Sequence, residues 1–375
     1  MYRLSKGLKT GLRLSLEVFQ HARENLHYVA SQGAKPYSRL VLGGDNAGWV
    51  LDWEMKEVSK IAQHLGIRLA KVRWQNSWVP LSVFFADQYF LLKPDWLNTR
   101  HRIGFAYFHG LPGTGEPVFD QVYENLCKHH TRIHRIQVSH TQMKTTVLRT
   151  GIDPSKVFQI PIGINLDFFP FRDNDRKNLA RETLGIPQSA FVIGSFQKDG
   201  VGWDAGMEPK LIKGPDVFLA TVRQLKSHIP ELCVLLSGPA RGYVKAGLEA
   251  MDVPYYHTYL DDYSAIGGMY HALDLYLVTS RQEGGPKAIL ESMASGIPIV
   301  STRVGQAVDL IQHGQNGWLA EVEDVESLAH WILQIYNLND ESLMPVLSSA
   351  RAAAEMNSYN AQIPLWAKFM EGFVL

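Results

Sequence analysis

Residues 278–305 read VTSRQEGGPKAILESMASGIPIVSTRVG, and this stretch decides the architecture. An apolar strand (DLYLV, 274–278) runs into a loop holding Glu283, Gly284 and Gly285. Pro286 then opens a helix expected over 286–295, and a second apolar strand, IPIVS, follows at 297–301. Proline is favoured at the first helical position, where its missing N–H would have no partner anyway. The next amides, of Lys287, Ala288 and Ile289, have no carbonyl one turn back. With the helix dipole they make an anion site suited to a phosphate. Gly284 and Gly285 would let a ligand approach the backbone closely. Glu291 stands ~7 Å further along the axis at ~1.5 Å rise per residue, about the separation of a phosphate from the ribose hydroxyls of one nucleotide. A carboxylate accepts two hydroxyls well, so Glu291 can hold a ribose while Glu283 faces what hangs from the phosphates. Taken alone, two glutamates at this spacing more often complement a dipole and meet solvent, because short motifs match by chance.

The same alternation extends outward in both directions. Strand-like runs at 38–42, 103–108, 135–138, 157–160, 191–196, 232–236 and near 253–257 alternate with helical patterns at 49–65, 118–130, 214–227, 263–271, 325–337 and 359–372. Such alternation signals parallel α/β sheets. Residues 165–190, polar and turn-rich, read as a linker, so two doubly wound units are expected. The first spans 1–170, with 359–375 packing back on it, and the second spans 171–358. Two such units joined by a hinge put a cleft between the carboxyl ends of their sheets, where these folds bind ligands.

Composition narrows the function classes. The 375 residues carry 37 basic and 37 acidic side chains, so no global field holds a nucleic acid. The basic cluster Lys128, His129, His130, Arg132, His134 and Arg135 lacks metal-ligand spacing and interleaved aromatics, and is expected to be a solvated face. Two cysteines, Cys127 and Cys233, suggest no disulfide framework and fit a reducing, cytoplasmic location. No apolar run approaches the ~18 residues of a membrane span. Leu4, Leu8, Leu12 and Leu16 form one helical stripe among Arg3, Lys6, Lys9 and Arg13. Packing on the protein's own core is the favoured reading of that stripe, with peripheral contact at the inner face of the plasma membrane as its rival.

The run EGGPKAILESMASGIPIVSTRVGQAVDLIQHGQNGWLAEVED (283–324) resembles the signature region of glycosyltransferase family 4, the retaining nucleotide-sugar transferases of GT-B fold. LVTSRQEGG before it, LLSGPARG (235–242) and VSHTQMKTTVLRTGIDPSKVFQIPIGINLDFF (138–169) extend the resemblance, which runs from about residue 100 to 330. It implies a donor domain in which Glu291 holds the ribose, Glu283 stands beside the donor sugar, and Gly284, Gly285, Pro286, Lys287 and Ala288 surround the diphosphate. Lys213, in IKGPDVF, matches the family's phosphate lysine, and His109, after IGFAYF, matches the histidine that approaches the sugar from the first domain. His109, Glu283 and Lys213 are therefore the catalytic candidates. The family's phosphate arginine is absent from Gly194-Ser195-Phe196-Gln197-Lys198, which leaves Lys198 as the nearest cation and Arg281 or Arg241 as substitutes. Between Gly194 and Lys213 lies a long loop that could cover the donor, with Asp199, Asp204 and Glu208 expected to be solvated. Gly44 in the first glycine loop, Gly238, and Tyr259 with Leu260 beside the nucleobase complete the expected donor contacts.

The implied reaction moves a hexose from a UDP-sugar, UDP-glucose being the first choice, to a glycan or lipid-linked acceptor in cell-surface polysaccharide synthesis. No cofactor is expected: the helix start and Lys213 would stabilise the leaving diphosphate without a metal. A nucleotide-sugar epimerase, a phosphorylase or a non-catalytic nucleotide-sugar-binding protein on the same fold are the alternatives.

Overall fold

The computed structural model describes residues 20, 22–23, 39–43, 50–70, 72–260 and 262–375. The basic leucine stripe of residues 1–16 and Gly44 lie outside the described residues. The first unit runs β1 (Leu40–Gly43), α1 (Val50–His64), β2 (Ser82–Phe85), β3 (Arg102–Tyr107), α2 (Pro117–His129), β4 (Arg135–Val138), α3 (Thr141–Leu148) and β5 (Val157–Gln159). The second runs α4 (Asn174–Leu184), β6 (Phe191–Phe196), α5 (Pro215–Lys226), β7 (Leu232–Ser237), α6 (Gly242–Ala250), β8 (Tyr255–Thr258), α7 (Ile266–His271), β9 (Leu275–Val278), α8 (Lys287–Ser295) and β10 (Ile299–Thr302). It continues through α9 (Ala307–Leu310), β11 (Trp318–Ala320), α10 (Val325–Tyr336) and α11 (Asp340–Met356), and α12 (Ile363–Met370) follows.

Both sheets are parallel throughout, in the order β1-β2-β3-β4-β5 and β11-β10-β9-β6-β7-β8. Successive residues of one strand enter different cores, as period-two side chains on a sheet covered on both faces must. Val192, Leu235 and Tyr276 join one cluster of the second unit, while Ile193, Val234 and Leu275 join the other. In the first unit Val83 and Phe85 face one way and Phe84 the other. The chain's last helix returns to the first sheet: Trp366 and Phe369 pack edge-on against Phe84 at 5.7 and 5.3 Å, and Ser82 Oγ donates to the Phe373 carbonyl at 2.7 Å. The architecture is GT-B, two Rossmann-like units facing across a cleft.

The stretch read as a linker, 165–190, departs from expectation. It contains α4, capped by the Asp173 side chain and ended by Gly185 at φ 70°. Its Arg181 is buried, with Nη2 at 2.5 Å from Asp274 and further bonds to the carbonyls of Ala272, Gln188 and Ala190. Lys177 adds a second ion pair to Asp274 at 2.7 Å, and with Ala180 and Leu184 as the helix's apolar contacts on the core no long apolar stripe marks it. The basic cluster is also less solvated than expected. Arg135 donates to the carbonyls of Phe369 and Glu371 at the end of α12, and His134 Nδ1 accepts the Ile103 amide. No helix among the described residues is long and apolar enough to cross a membrane.

Strand order locates the cleft. In the second sheet the chain goes outward from β6 through β7 to β8, then returns to the other side of β6 as β9. The crevice beyond the carboxyl ends of β6 and β9 is the topological switch point, where open α/β sheets bind ligands.

Candidate functional site

Two loops flank that switch point: Gln197 to Lys213 after β6, and Thr279 to Pro286 after β9. They meet through a charge pair. Lys213 Nζ donates to both carboxylate oxygens of Glu283, at 2.6 and 2.7 Å, and Ser280 Oγ adds a third bond to Oε1 at 2.8 Å. Lys213 is placed by local geometry. It ends a single 3-10 turn (Leu211–Lys213), after which Gly214, at φ 64°, lies so close to Thr279 that a Cβ would fall 1.9 Å from its carbonyl oxygen. Only glycine fits such an approach in the left-handed region. Two of the three catalytic candidates are thus in direct contact.

Helix α8 begins at Lys287, one residue later than expected, so Pro286, at φ −64° and ψ 110°, is its N-cap and not its first helical residue. Ile289 donates its amide to the Pro286 carbonyl at 3.2 Å, so the amides of Lys287 and Ala288 are the two left to open the helix. At Gly284 and Gly285 the side a side chain would take is filled by protein. A Cβ on Gly284 would lie 1.1 Å from the Phe108 carbonyl oxygen of the first unit, and one on Gly285 would lie 2.5 Å from Ile162 Cδ1. Ser139 Oγ and the Gln306 amide both donate to the Gly284 carbonyl, at 3.0 and 3.1 Å. The two units are closed upon each other at this loop. His109 follows Phe108, one residue from that contact; its ring stacks on Tyr89 at 4.8 Å and its amide donates to Gln88 Oε1 at 3.0 Å.

Glu291 is only 4% exposed. Its Oε2 accepts the Tyr270 hydroxyl at 2.8 Å, and Oε1 accepts the Tyr263 hydroxyl. Burial pushes its pKa up, opposed by Lys287 and the two tyrosines. These tyrosines are absent from the sequence reading, as is Glu54 of α1. Lys287 Nζ lies 2.7 Å from Glu54 Oε1 and donates to the Tyr359 hydroxyl at 3.0 Å, while Trp53 of α1 meets the Tyr263 ring edge-on at 4.9 Å. The Lys287 side chain therefore ties α8 to the first unit.

The substitutes for the missing arginine fare differently. Arg241 is buried, and its Nη1 donates to the carbonyls of Ser195 and Gln197 at 2.7 Å and of Ser237 at 2.8 Å. Nη2 donates to Ser195 Oγ at 3.1 Å, and Nε lies 3.0 Å from Asp199 Oδ1. This guanidinium is a strut behind the loops and cannot reach a ligand. Asp199, expected in solvent, is its buried counter-ion, because a guanidinium sealed in the core needs a carboxylate beside it. Asp204 and Glu208 are exposed. Arg281 is committed elsewhere, forking onto Asp216 at 2.8 and 2.7 Å with Nε 2.5 Å from Glu323. Lys198 Nζ lies 3.8 Å from the centre of the Trp203 ring.

The remaining candidates border the crevice. Gly238, at φ 95°, follows β7, and His257 Nε2 bonds its carbonyl at 2.9 Å. Leu260 packs on the core, whereas Tyr259 is 62% exposed. The sequence holds one Asp-x-Asp string, Asp173-Asn174-Asp175. Asp173 caps α4 and Asp175 is exposed on that helix, which sets the string apart from the β6 and β9 loops.

Residues 200–338 match the family model for glycosyl transferases group 1. The matched segment, a little over a third of the chain, runs from α5 to α10 and includes Lys213, Glu283 and Glu291. Among curated relatives, N-acetyl-alpha-D-glucosaminyl L-malate synthase of Bacillus anthracis is 43% identical over 70 residues, 19% of this chain and 18% of the relative. The UDP-Gal:alpha-D-GlcNAc-diphosphoundecaprenol alpha-1,3-galactosyltransferase of Escherichia coli is 23% identical over 214 residues, 56% of this chain and 52% of the relative. The chain thus matches no more than about half the length of either relative. Among solved structures, Anabaena Alr3699/HepE in complex with UDP-glucose superposes with a TM-score of 0.69 over 90% of this chain and all of that one, at 16% identity. That likeness is one of fold.

Proposed function

We propose that the protein is a retaining, cytoplasmic glycosyltransferase that moves a hexose from a UDP-sugar, UDP-glucose first, to a hydroxyl of a glycan or lipid-linked acceptor in cell-surface polysaccharide synthesis. The observation that carries this reading is the Lys213–Glu283 pair at the switch point, beside the start of α8. The bond from the sugar's anomeric carbon to the diphosphate breaks, and a bond from that carbon to the acceptor oxygen forms on the same face. The acceptor's proton passes to the departing phosphate oxygen. Charge accumulates on the diphosphate as it leaves, and Lys213 with the first amides of α8 meets it. Lys213 then exchanges one anion for another, leaving Glu283 for the sugar's hydroxyls. Glu291 accepts the ribose hydroxyls, which displace that of Tyr263. The UDP-glucose bound by Alr3699/HepE and the lipid diphosphate named for the Escherichia coli relative support the choice of donor and acceptor.

A thermal-shift panel of UDP-, GDP- and ADP-sugars, followed by donor-hydrolysis assays, tests the reading. Glu291→Ala weakens UDP and UDP-sugar alike. Glu283→Ala and His109→Ala spare UDP binding and cut turnover about 100-fold or more, the scale of one electrostatic contact to a developing charge. Normal binding and turnover in all three variants would refute the site. Release of an altered free sugar without acceptor would instead indicate an epimerase, and a requirement for inorganic phosphate a phosphorylase. Donor binding without turnover would mark a binding protein.

A further inference from the structure

The loop between Lys198 and Lys213 is a built element. Gly200 bridges Pro209 in antiparallel fashion, the Lys210 amide donates to the Asp199 carbonyl at 2.7 Å, and the Val201 amide to the Glu208 carbonyl at 2.9 Å. These bonds close a hairpin over 199–210. It is seated on the start of α6: Gly242 and Tyr243 donate their amides to Ala205 and Gly206 at 2.7 and 2.9 Å, and a Cβ on Gly206 would lie 2.2 Å from the Ala240 carbonyl oxygen. The buried Arg241–Asp199 pair bolts its base to the ends of β6 and β7.

The consequence is a placement of charge. Lys198 and Lys210 leave the two arms of the hairpin side by side, and the single turn after Lys210 brings Lys213 beside them, its amide donating to the Lys210 carbonyl at 2.8 Å. The backbone therefore sets Lys198, Lys210 and Lys213 beside one another next to the switch-point crevice. Desolvation and the charges of Lys213 and Lys198 hold the pKa of Lys210 down, against Glu283 and, from the first unit, Glu116. Lys213 is satisfied by Glu283 and Lys198 by the Trp203 ring. Among the described residues neither Lys198 nor Lys210 makes a salt bridge, in a place where a dianion is expected.

We propose that Lys210, with Lys198, binds the diphosphate of the nucleotide in place of the absent arginine, and that Arg241 serves only to hold the hairpin that presents them. This rests on the donor-site reading above. Two ammonium groups on separate hairpin arms reach separate phosphate oxygens, as one planar guanidinium would by its fork.

The test compares uridine, UMP and UDP on the full chain by calorimetry, with Lys210→Met, Lys210→Arg, Lys198→Met and, as a control on a distant surface, Lys128→Met. Lys210→Met is expected to lose about tenfold in UDP affinity, the scale of one charge-assisted hydrogen bond, with uridine unchanged. Lys210→Arg restores most of the loss, and Lys128→Met behaves as wild type. The dependence of UDP affinity on salt also flattens in Lys210→Met. UDP binding unchanged in Lys210→Met overturns the proposal and leaves the donor site standing. An equal loss for uridine and UDP overturns it too, because the effect is then structural. A wild-type chain that binds neither UDP nor any UDP-sugar overturns the donor-site reading itself, and this proposal falls with it.

Discussion

Replacing Arg241 with methionine tests whether this guanidinium belongs to the scaffold. Methionine fills a similar channel without charge. The loss is large because three backbone carbonyls lose their donor and the Asp199 carboxylate, 1% exposed, is left without its counter-ion. Breaking a buried pair from one side costs about 3–5 kcal/mol. At about 2–4 °C per kcal/mol for a unit of this size, the unfolding midpoint of the second unit falls by roughly 6–20 °C. Acidity supplies a second signature. Burial already pushes the Asp199 carboxyl up, with Arg241 pulling it down. Without the arginine the folded-state value climbs further, so the folded chain holds a proton that the unfolded chain releases near its ordinary value of about 3.9. Such a group stabilises below its unfolded pKa and loses that stabilisation as pH rises through the folded one. The deficit of Arg241→Met is therefore greatest at neutral pH and shrinks on acidification. Calorimetric scans of wild type, Arg241→Met and Arg241→Met/Asp199→Asn at several values between about pH 8 and pH 4.5 measure this, the asparagine recovering part of the loss at neutral pH. A midpoint equal to wild type at neutral pH, or a deficit that does not change with pH, would refute the reasoning.

Gly284→Ala places a Cβ 1.1 Å from the Phe108 carbonyl oxygen, a backbone atom with no rotamer to retreat into, so the units separate. Displacement of a site by ~1 Å costs about 100-fold in turnover, and that loss in single-turnover assays, with UDP affinity held within a few-fold, is the expected result. Unimpaired turnover would show that the closed arrangement is not the reacting one. Tyr263→Phe removes one of the two hydroxyls on Glu291 while leaving the ring against Trp53. A ribose hydroxyl competes for the same oxygen, so calorimetry should find UDP bound equally well or up to about fivefold tighter, the scale of one neutral hydrogen bond. A tenfold weakening would mean that Tyr263 itself touches the nucleotide.

How far such a site can be read from sequence depends on the distance over which its parts are encoded. The α/β alternation was legible because parallel strands buried on both faces read as unbroken apolar runs: β6, β7 and β9 start and end within a residue or so of their apolar stretches. Glu283 and Glu291 sit at fixed offsets from a strand end and a helix start, but it is the family resemblance that marks them, and Lys213 with them, as site candidates. Helix α4 escaped notice because it docks largely through Lys177 and Arg181 on Asp274, and Ala180 and Leu184 alone are too short an apolar face to read as a period. Gly284 announced a close approach but not the approaching group, which is a carbonyl 176 positions earlier in the chain. Arg241 is the most instructive failure. A guanidinium just beyond a strand-end glycine reads the same whether it points to a phosphate or back under the turn. What separates the two cases is whether a carboxylate shares its burial, and Asp199 stands forty-two residues away in a loop that looks solvated. Glu54, 233 residues from Lys287, lies beyond any local signal. Local rules thus mark the groups one unit holds toward a nucleotide, while the contacts that close the units over it are written only in the packing, and these are the contacts a turnover assay on Gly284→Ala interrogates.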